Sequence, residues 1–201
     1  MCHAGATPPW KEPSAESDAA IDNPITAPAP EDLLTPRLRI TPFREEFLTP
    51  GYVAWLNDRA LMRFSEQRHH VHTLESCRTF WNSFSGTPHR FWAIVELLRG
   101  VGHIGNISAT IDPNNGLADV ALLIGATECR GLGYGLEAWR AVCDHLLARG
   151  DIRKVTAGTL TGNEAMRCIM ERSGMIPDGT RSRHYIAEGV ERDLIHMARF
   201  R

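Results

Sequence analysis

The stretch Val120-Ala-Leu-Leu-Ile124, then Arg130-Gly-Leu-Gly-Tyr-Gly135, then an amphipathic segment from Leu136 to Arg149, decides the fold of this chain. The apolar run predicts a buried strand, the glycines predict a turn, and the last segment repeats its apolar residues at helical spacing. A strand, a glycine turn and a helix in this order are typical of an α/β protein.

The glycine turn also predicts an anion site. Backbone N–H groups at the start of a helix point towards one spot, where the helix dipole adds partial positive charge. Gly133 and Gly135 carry no Cβ that would keep a phosphate away, and Arg130 adds a full charge beside the turn. By sequence alone, the same hexad also fits a strand-to-helix turn without a ligand.

The glycine spacing excludes two familiar phosphate loops. A dinucleotide fingerprint read from Gly131 needs glycine at position 136, which is Leu136. A P-loop needs Gly-Lys-Ser or Gly-Lys-Thr, which occurs nowhere in the chain. The pattern that remains is Arg-x-x-Gly-x-Gly.

This hexad resembles the pyrophosphate loop of the GNAT superfamily of acyl-CoA-dependent N-acetyltransferases, whose pattern is Gln/Arg-x-x-Gly-x-Gly/Ala. A second segment agrees: the strand from Val155 leads to Asn163, which predicts the N-cap of a helix over Glu164 to Ser173 that Gly174 ends. An asparagine, a helix and a glycine exit are similar to the second signature of that family.

The resemblance spans roughly residues 34 to 200 and is closest to the RimJ/RimL-like branch. Shorter matches lie at Tyr52–Asn57 and His103–Ile107. The resemblance implies a mixed α/β fold, in which helices flank a mostly antiparallel central sheet, and it implies acetyl-CoA as co-substrate with no metal. It implies direct attack of a primary amine on the thioester in a ternary complex.

The resemblance also implies a set of cofactor-binding residues. Backbone groups near Leu123 and Ile124, on a strand that bulges in the family, bind the thioester and pantetheine, and the Asn163 side chain binds the pantetheine arm. The pyrophosphate loop comprises Arg130, Gly131, Leu132, Gly133, Tyr134 and Gly135.

Two catalytic roles are hypotheses. Asp119 occupies the place where RimJ/RimL-like sequences carry a glutamate, and we expect it to act as the general base through a water molecule. The alternative interpretation is an acidic residue that is merely exposed after a turn.

For the general acid, the positions used by relatives fall on Met166 and Met170, which cannot donate a proton. Tyr185 is the first remaining candidate, before Tyr134 and Cys168, and the low pKa of a leaving thiol also permits catalysis without an acid.

A basic segment between the first two helices lies where related enzymes line the acceptor pocket; it contains Arg63, Arg68, His69, His70 and His72. The His-His-x-His pattern is also compatible with a metal site. No carboxylate or cysteine lies at a regular helical spacing from it, however, so a loop that faces the acceptor or the solvent is favoured. We expect a small-molecule amine acceptor, such as an amino sugar or an antibiotic. If the basic segment faces the acceptor, an anionic acceptor such as a nucleotide-linked amino sugar is also expected. The alternatives are a protein N-terminus, or a regulatory module that binds acyl-CoA without catalysis.

Composition agrees with one enzyme domain. The chain has 201 residues, is 43% hydrophobic and 23% charged, and contains no apolar stretch near the ~20 residues that span a bilayer. Its net charge of −2 gives no basic field for nucleic acid. We expect no nucleic-acid or membrane partner, and a homodimer stays open.

The five cysteines include no C-x-x-C pair, which favours free thiols and a cytoplasmic location. Residues 1–33 are rich in proline and alanine without the apolar core of a signal peptide, so we expect a disordered tail followed by a domain over 34–201.

The remaining segments predict further elements. A stripe of Cys77, Phe80, Trp81 and Phe84 predicts a core-facing helix, and Glu137, Arg140 and Asp144 predict a solvated face of the glycine-loop helix. The other predicted elements are a strand over Leu38–Phe43, helices opened by Thr49-Pro50 and by Thr73, hairpin strands over Arg90–Leu98 and Val101–Ile111, a strand over Lys154–Thr159, and final strands over Ile176–Tyr185 and Val190–Phe200.

Overall fold

One eight-stranded sheet runs through the computed structural model, which describes residues 32–201. Its strands lie in the order β1-β2-β3-β4-β5-β6-β8-β7. Each described pair is antiparallel except β5 with β6. The predicted mixed, mostly antiparallel sheet is therefore confirmed. The strands are β1 (Leu33–Leu34), β2 (Leu38–Pro42), β3 (Arg90–Glu96), β4 (Gly102–Asp112), β5 (Leu117–Ile124), β6 (Lys154–Leu160), β7 (Ile176–Ala187) and β8 (Val190–Phe200).

The predicted helices form where their caps place them. The Thr49 hydroxyl accepts a hydrogen bond from the Tyr52 amide, Thr73 and Ser76 cap one another reciprocally, and Asn163 accepts from the Met166 amide. The helices are α1 (Pro50–Asn57), α2 (Arg59–Met62), α3 (Leu74–Asn82), α4 (Tyr134–Ala148) and α5 (Glu164–Arg172).

The two faces of the sheet bury different helices. Helix α4 presents Trp139, Val142 and Leu146, all fully buried, to the face that carries alternate residues such as Ile107 and Val120. The opposite face carries the residues between them, and there an aromatic cluster of Phe43, Phe47 and Tyr52 packs with Cys77 and Ala93. Because successive residues of a strand point to opposite faces, the two clusters are separated by the sheet itself.

One prediction about helix surfaces is wrong, and a second, the solvated face of α4, holds for the exposed Arg140 and Asp144 but not for the half-buried Glu137. Phe80 is 45% exposed and is not a core residue, because α3 turns that position towards an open cleft. The charges on α4 are not merely solvated: Glu137 accepts hydrogen bonds from Thr35 and Arg37, Arg140 donates to the Arg172 carbonyl, and Asp144 pairs with Arg199. These partners are distant in the sequence, so helical periodicity does not reveal them.

The predicted tail of residues 1–33 lies outside the described residues apart from Asp32 and Leu33, and Leu33 already belongs to β1. In residues 32–201, no helix is both long enough and apolar enough to cross a bilayer. The four cysteines of this part of the chain are free thiols.

Gly105 lies where β4 meets the end of β5. A Cβ on this residue would lie 2.1 Å from the Leu123 carbonyl oxygen and 3.0 Å from the Ile124 Cα. Both contacts are with backbone, which cannot rotate away, so a side chain here would push β5 out of place.

We therefore predict that Gly105→Ala lowers the free energy of unfolding by about 1–3 kcal/mol, measured by urea denaturation. Gly51→Ala in α1 is the matched control, because its Cβ would meet nothing closer than 3.6 Å and alanine favours a helix. The prediction fails if Gly105→Ala is as stable as the control.

Candidate functional site

A cleft separates the two parallel strands. β5 and β6 pair only between Leu117–Asp119 and Lys154–Thr156, although β5 continues to Ile124 and β6 to Leu160. Beyond Asp119 each strand keeps its antiparallel partner on the other side, so the two diverge. The cleft that opens there has a volume of about 1220 Å³ and reaches from the glycine loop to α2 and α3.

The glycine loop lies at one end of this cleft. Gly131 and Gly133 have φ angles of 75° and 84°, a left-handed conformation that glycine adopts without strain. Gly133 is the N-cap of α4, and no side chain caps the first turn, so its amides are available to an anion. Gly135 lets α5 approach, since its Cβ would lie 3.1 Å from Ile169 Cδ1.

The guanidinium of Arg130 is not free but is hydrogen-bonded to backbone carbonyls. Its Nε donates to the Ile124 carbonyl at 3.1 Å and its Nη2 donates to the Gly125 carbonyl at 2.6 Å. The fork of the guanidinium thus ties the loop to the end of β5. These hydrogen bonds hold the loop in place, and the expected role of Arg130 beside the phosphate stays a prediction.

Arg37, just before β2, contacts the glycine loop, and the sequence did not reveal this contact. Its Nη1 donates to the Leu132 carbonyl at 2.9 Å, and its guanidinium lies 4.5 Å from the centre of the Tyr134 ring. Its Nε forms a 2.6 Å ion pair with Glu137, which also accepts from the Thr35 hydroxyl. Partial burial raises the pKa of Glu137, but these hydrogen bonds outweigh it and lower the pKa below its ordinary value.

The strand at Leu123 and Ile124 stays in register with β4, so the expected bulge in β5 does not occur as a register shift. The irregularity is instead in the pairing of β3 with β4, between Ile94 and Val95. Gly125 donates its amide to the Ile104 carbonyl. By the alternation of an antiparallel ladder, the Ile124 amide faces the cleft and the Leu123 amide faces β4.

Asn163 lies on the α5 side of the cleft. Its Oδ1 caps the helix and its Nδ2 donates to the Thr159 hydroxyl at 3.0 Å. An Asn side chain carries two N–H bonds, so one donor remains for a ligand.

Asp119 lines the cleft at the last paired residue of β5, where the strands begin to separate. The Thr156 hydroxyl donates to its Oδ1 at 2.6 Å. Removal from water raises the pKa of this carboxyl, against the hydrogen bond from Thr156 and the attraction of His196. A carboxylate with a raised pKa in a cleft is suited to accept a proton.

The candidates for a general acid are scattered. Tyr185 lies on the outer strand β7 and does not line the cleft, so this placement does not favour its expected role. The Tyr134 hydroxyl is directed to the buried Glu96 carboxylate, at 3.4 Å. Cys168 lines the cleft and is exposed, and Met166 lines it without a proton to give.

The other end of the cleft is aromatic and basic. Tyr52, Phe64, Phe80 and Phe91 contribute rings to its wall. The described lining of the whole cleft contains one carboxylate, that of Asp119, and its basic side chains at this end are Arg63, His70 and His72.

Within the basic segment, Arg63, His70 and His72 line the cleft, whereas Arg68 donates to the Ser65 and Ile186 carbonyls and so has a structural role. Across residues 32–201, no group of three or more His, Cys, Asp or Glu side chains is placed to hold a metal ion.

The chain is similar to known proteins in a family-wide sequence pattern and in fold. The family model of the acetyltransferase (GNAT) domain matches residues 37–176. No functionally curated protein matches the chain in sequence.

Solved structures match the fold closely at low identity. RimL, a ribosomal L7/L12 alpha-N-protein acetyltransferase in complex with coenzyme A, superposes with a TM-score of 0.75 at 18% identity, covering 85% of this chain and 98% of that one. Spermidine N-acetyltransferase from Vibrio cholerae, with CoA and spermine, gives 0.72 at 16% identity over 81% and 95%. The microcin C7 self-immunity acetyltransferase MccE, with acetyl-CoA and AMP, gives 0.72 at 14% identity over 83% and 94%. At these identities the likeness establishes the fold alone.

The two roles of Arg130 can be separated by substitution. Because we assign its guanidinium fork to the Ile124 and Gly125 carbonyls, we predict that Arg130→Lys and Arg130→Met weaken CoA binding by similar factors of at least fivefold, measured by isothermal titration calorimetry. Lysine keeps the charge and loses the fork. CoA binding by Arg130→Lys that matches the wild type would show instead that charge beside the phosphate is what matters.

Proposed function

We propose that this chain, which belongs to the GNAT family of acetyltransferases and is an acetyl-CoA-dependent N-acetyltransferase, acetylates a primary amine of a small molecule that is neutral or anionic apart from that amine. The observation that carries the acceptor class is the lining of the cleft beyond the glycine loop. That part of the wall combines four aromatic rings with basic side chains, and Asp119 is the one carboxylate of the described lining.

The residues fit the acetyl donor. The free amides at the start of α4 and the exposed glycines beside them suit a pyrophosphate, and the gap between β5 and β6 suits an extended arm. The Ile124 amide and the remaining N–H of Asn163 supply donors along that gap. Acetyl-CoA supplies an activated acetyl carbon, to which the amine nitrogen bonds as the C–S bond breaks and the CoA thiolate leaves.

Asp119 is the proposed general base. An α-amine of pKa ~8 costs about 1.4 kcal/mol to deprotonate at pH 7, and a lysine-like amine of pKa ~10.4 costs about 4.6 kcal/mol. Asp119 takes the amine proton through a water molecule, and its Thr156 hydrogen bond fixes the carboxylate for this task.

The proposed mechanism needs no dedicated acid. A thiol of pKa ~8.5 is only about 2 kcal/mol from its thiolate at pH 7, so the leaving group departs as an anion and takes its proton from solvent. This suits a cleft in which Met166 occupies the position of the acid in relatives.

The charge of the wall guides the choice of acceptor. A polyamine carries several positive charges and would need several carboxylates, whereas Asp119 is the one carboxylate of the described lining and the Arg63 guanidinium repels a cation. A wall of aromatic rings and basic side chains favours an acceptor with a planar ring or a sugar ring that also carries an oxyanion. MccE, which shares the fold, is in complex with acetyl-CoA and AMP, and AMP is an anion. For this chain we propose only that the acceptor is neutral or anionic apart from its amine.

A protein N-terminus is the second candidate acceptor. It is favoured by the fold of RimL, and the cleft is wide enough to admit a flexible end. A module that binds acyl-CoA without turnover is the third interpretation, since the usual acid positions carry methionine.

An amine panel tests the acceptor class. We predict that glucosamine 6-phosphate and glucosamine are acetylated at least tenfold faster, by kcat/KM, than spermidine or a peptide with a free N-terminal serine, with released CoA as the readout. Faster turnover of spermidine would contradict the charge argument, faster turnover of the peptide would favour the second candidate, and CoA binding without any turnover would favour the third.

Asp119 is tested by its pH profile. Only the ionised carboxylate accepts a proton, so kcat/KM should fall as the pH drops through its raised pKa. Thr156→Val removes a bond that lowers this pKa, so the acidic limb should move to higher pH. We predict that Asp119→Asn lowers turnover more than tenfold without lowering the melting temperature at pH 7, because ionising a partly desolvated carboxyl costs free energy in the folded state.

The sign for stability is opposite to that of a salt-bridged carboxylate. A raised pKa in the folded protein means that Asp119 destabilises it at pH values above that pKa, and protonation relieves the cost. A loss of turnover smaller than tenfold in Asp119→Asn would remove Asp119 from the mechanism.

A further inference from the structure

A buried amide with a free donor lies in the wall of the cleft. Asn106 on β4 is only 4% exposed and lines the cleft, and its Nδ2 has no hydrogen-bond partner. A buried donor without a partner is unfavourable, and such groups are rare in folded proteins. An unsatisfied amide beside a cleft is therefore a candidate for contact with a ligand.

The orientation of the amide is fixed by its neighbour. His103 Nε2 lies 3.0 Å from the Gly105 carbonyl oxygen and 3.0 Å from Asn106 Oδ1. The Gly105 carbonyl can only accept, so Nε2 must carry the proton, and the side-chain atom of Asn106 that faces it must be the oxygen. The NH₂ group is then left directed away from His103, buried and without a partner in the described part of the chain, on a residue that lines the cleft.

His103 is itself held firmly. Its ring lies 5.0 Å from those of Phe47 and Trp55 in the aromatic cluster. Burial lowers the pKa of His103 below its ordinary value, so the ring is neutral at pH 7, against the raising effect of the Asn106 and Gly105 hydrogen bonds. The neutral ring donates one N–H towards Asn106 and positions it.

A strand irregularity makes this contact possible. Residues three apart on a regular strand point to opposite faces. Here Ile94 pairs with Gly105 while Val95 pairs with His103, so one extra residue of β4 is accommodated. His103 and Asn106 consequently share the face that also carries Ser108 and the aromatic cluster.

Asn106 lies next to the expected place of reaction. It pairs across the sheet with Leu123, one residue from the Ile124 amide that faces the gap. Its face of the sheet is the one on which α1 and α3 form the aromatic end of the cleft, where the proposed acceptor lies.

We propose that Asn106 binds the acceptor, its Nδ2 donating a hydrogen bond to an oxygen of that molecule, with His103 as the positioning residue. The acceptor class is thereby narrowed to amines that carry a carbonyl, hydroxyl or oxyanion oxygen near the amino group. This inference rests on the proposed acetyltransfer to a small amine.

The test uses Asn106→Leu, which keeps the shape and removes the donor, with the neighbouring Ser108→Ala as control. The substrates are glucosamine and cyclohexylamine, which has an amine on a ring without oxygens. In Asn106→Leu we expect kcat/KM for glucosamine to fall at least tenfold, mainly through KM, whereas cyclohexylamine and CoA affinity are unchanged. His103→Phe, which preserves the aromatic packing, should show a smaller loss of the same kind.

The melting temperature without ligand separates binding from structure. Asn106→Leu removes an unpaired donor and also the Oδ1 acceptor of His103, whose Nε2 keeps the Gly105 carbonyl as a partner, so the melting temperature should stay close to that of the wild type. A lower melting temperature, or equal losses for the two amines, would overturn the role of Asn106 while leaving acetyltransfer intact. Wild-type protein that binds CoA but acetylates neither amine would instead overturn the proposed function, and this inference with it.

Discussion

The short pairing of β5 with β6 is the constraint on which the site depends. These strands are parallel, so the chain must cross over between them, and α4 makes that crossing on one face of the sheet. The glycine loop comes directly after β5 and before α4, which brings the start of the helix to the opening between the strands. Had the pairing continued to Ile124 and Leu160, the cleft would be closed by hydrogen bonds.

The loop is held by contacts that come from far along the chain. Arg130 ties it to the carbonyls at the end of β5, and Arg37 ties it to the segment before β2 through Leu132 and Glu137. An anion site made of backbone amides works only if those amides stay in place, because the fixed dipoles are what attract the ligand. We therefore propose that the two arginines contribute to CoA affinity through geometry as much as through charge.

Local features were predictable from the sequence. Thr49, Thr73 and Asn163 begin helices because their side chains accept the first amides, and the buried stripe of α4 follows from its spacing. The family resemblance extended these local predictions to the order of the sheet. The placement of Asp119 and Asn163 in the cleft agrees with that resemblance, although their roles in the reaction stay predictions.

Long-range features were not predictable. Arg37 meets its partners about a hundred positions away, and no local pattern marks it. Phe80 has the spacing of a core residue but faces a cleft, since periodicity identifies an apolar face and not what covers it. Asn106 lies within His103–Ile107, a short segment that matches the RimJ/RimL-like branch. Its contact with His103 depends on an irregularity of β4 that shifts His103 to the same face of the sheet.

If the start of α4 and the gap beside it hold the CoA moiety, damage to the glycine loop should prevent CoA binding, which calorimetric titration with CoA measures. The variants are Gly133→Glu and Gly174→Glu, two positions with the same φ of 84° and therefore the same backbone strain, of which Gly133 lies in the loop and Gly174 follows α5. We expect Gly133→Glu to abolish binding, whereas Gly174→Glu binds CoA as the wild type does. Equal binding by both variants, or none by the wild type, would contradict it.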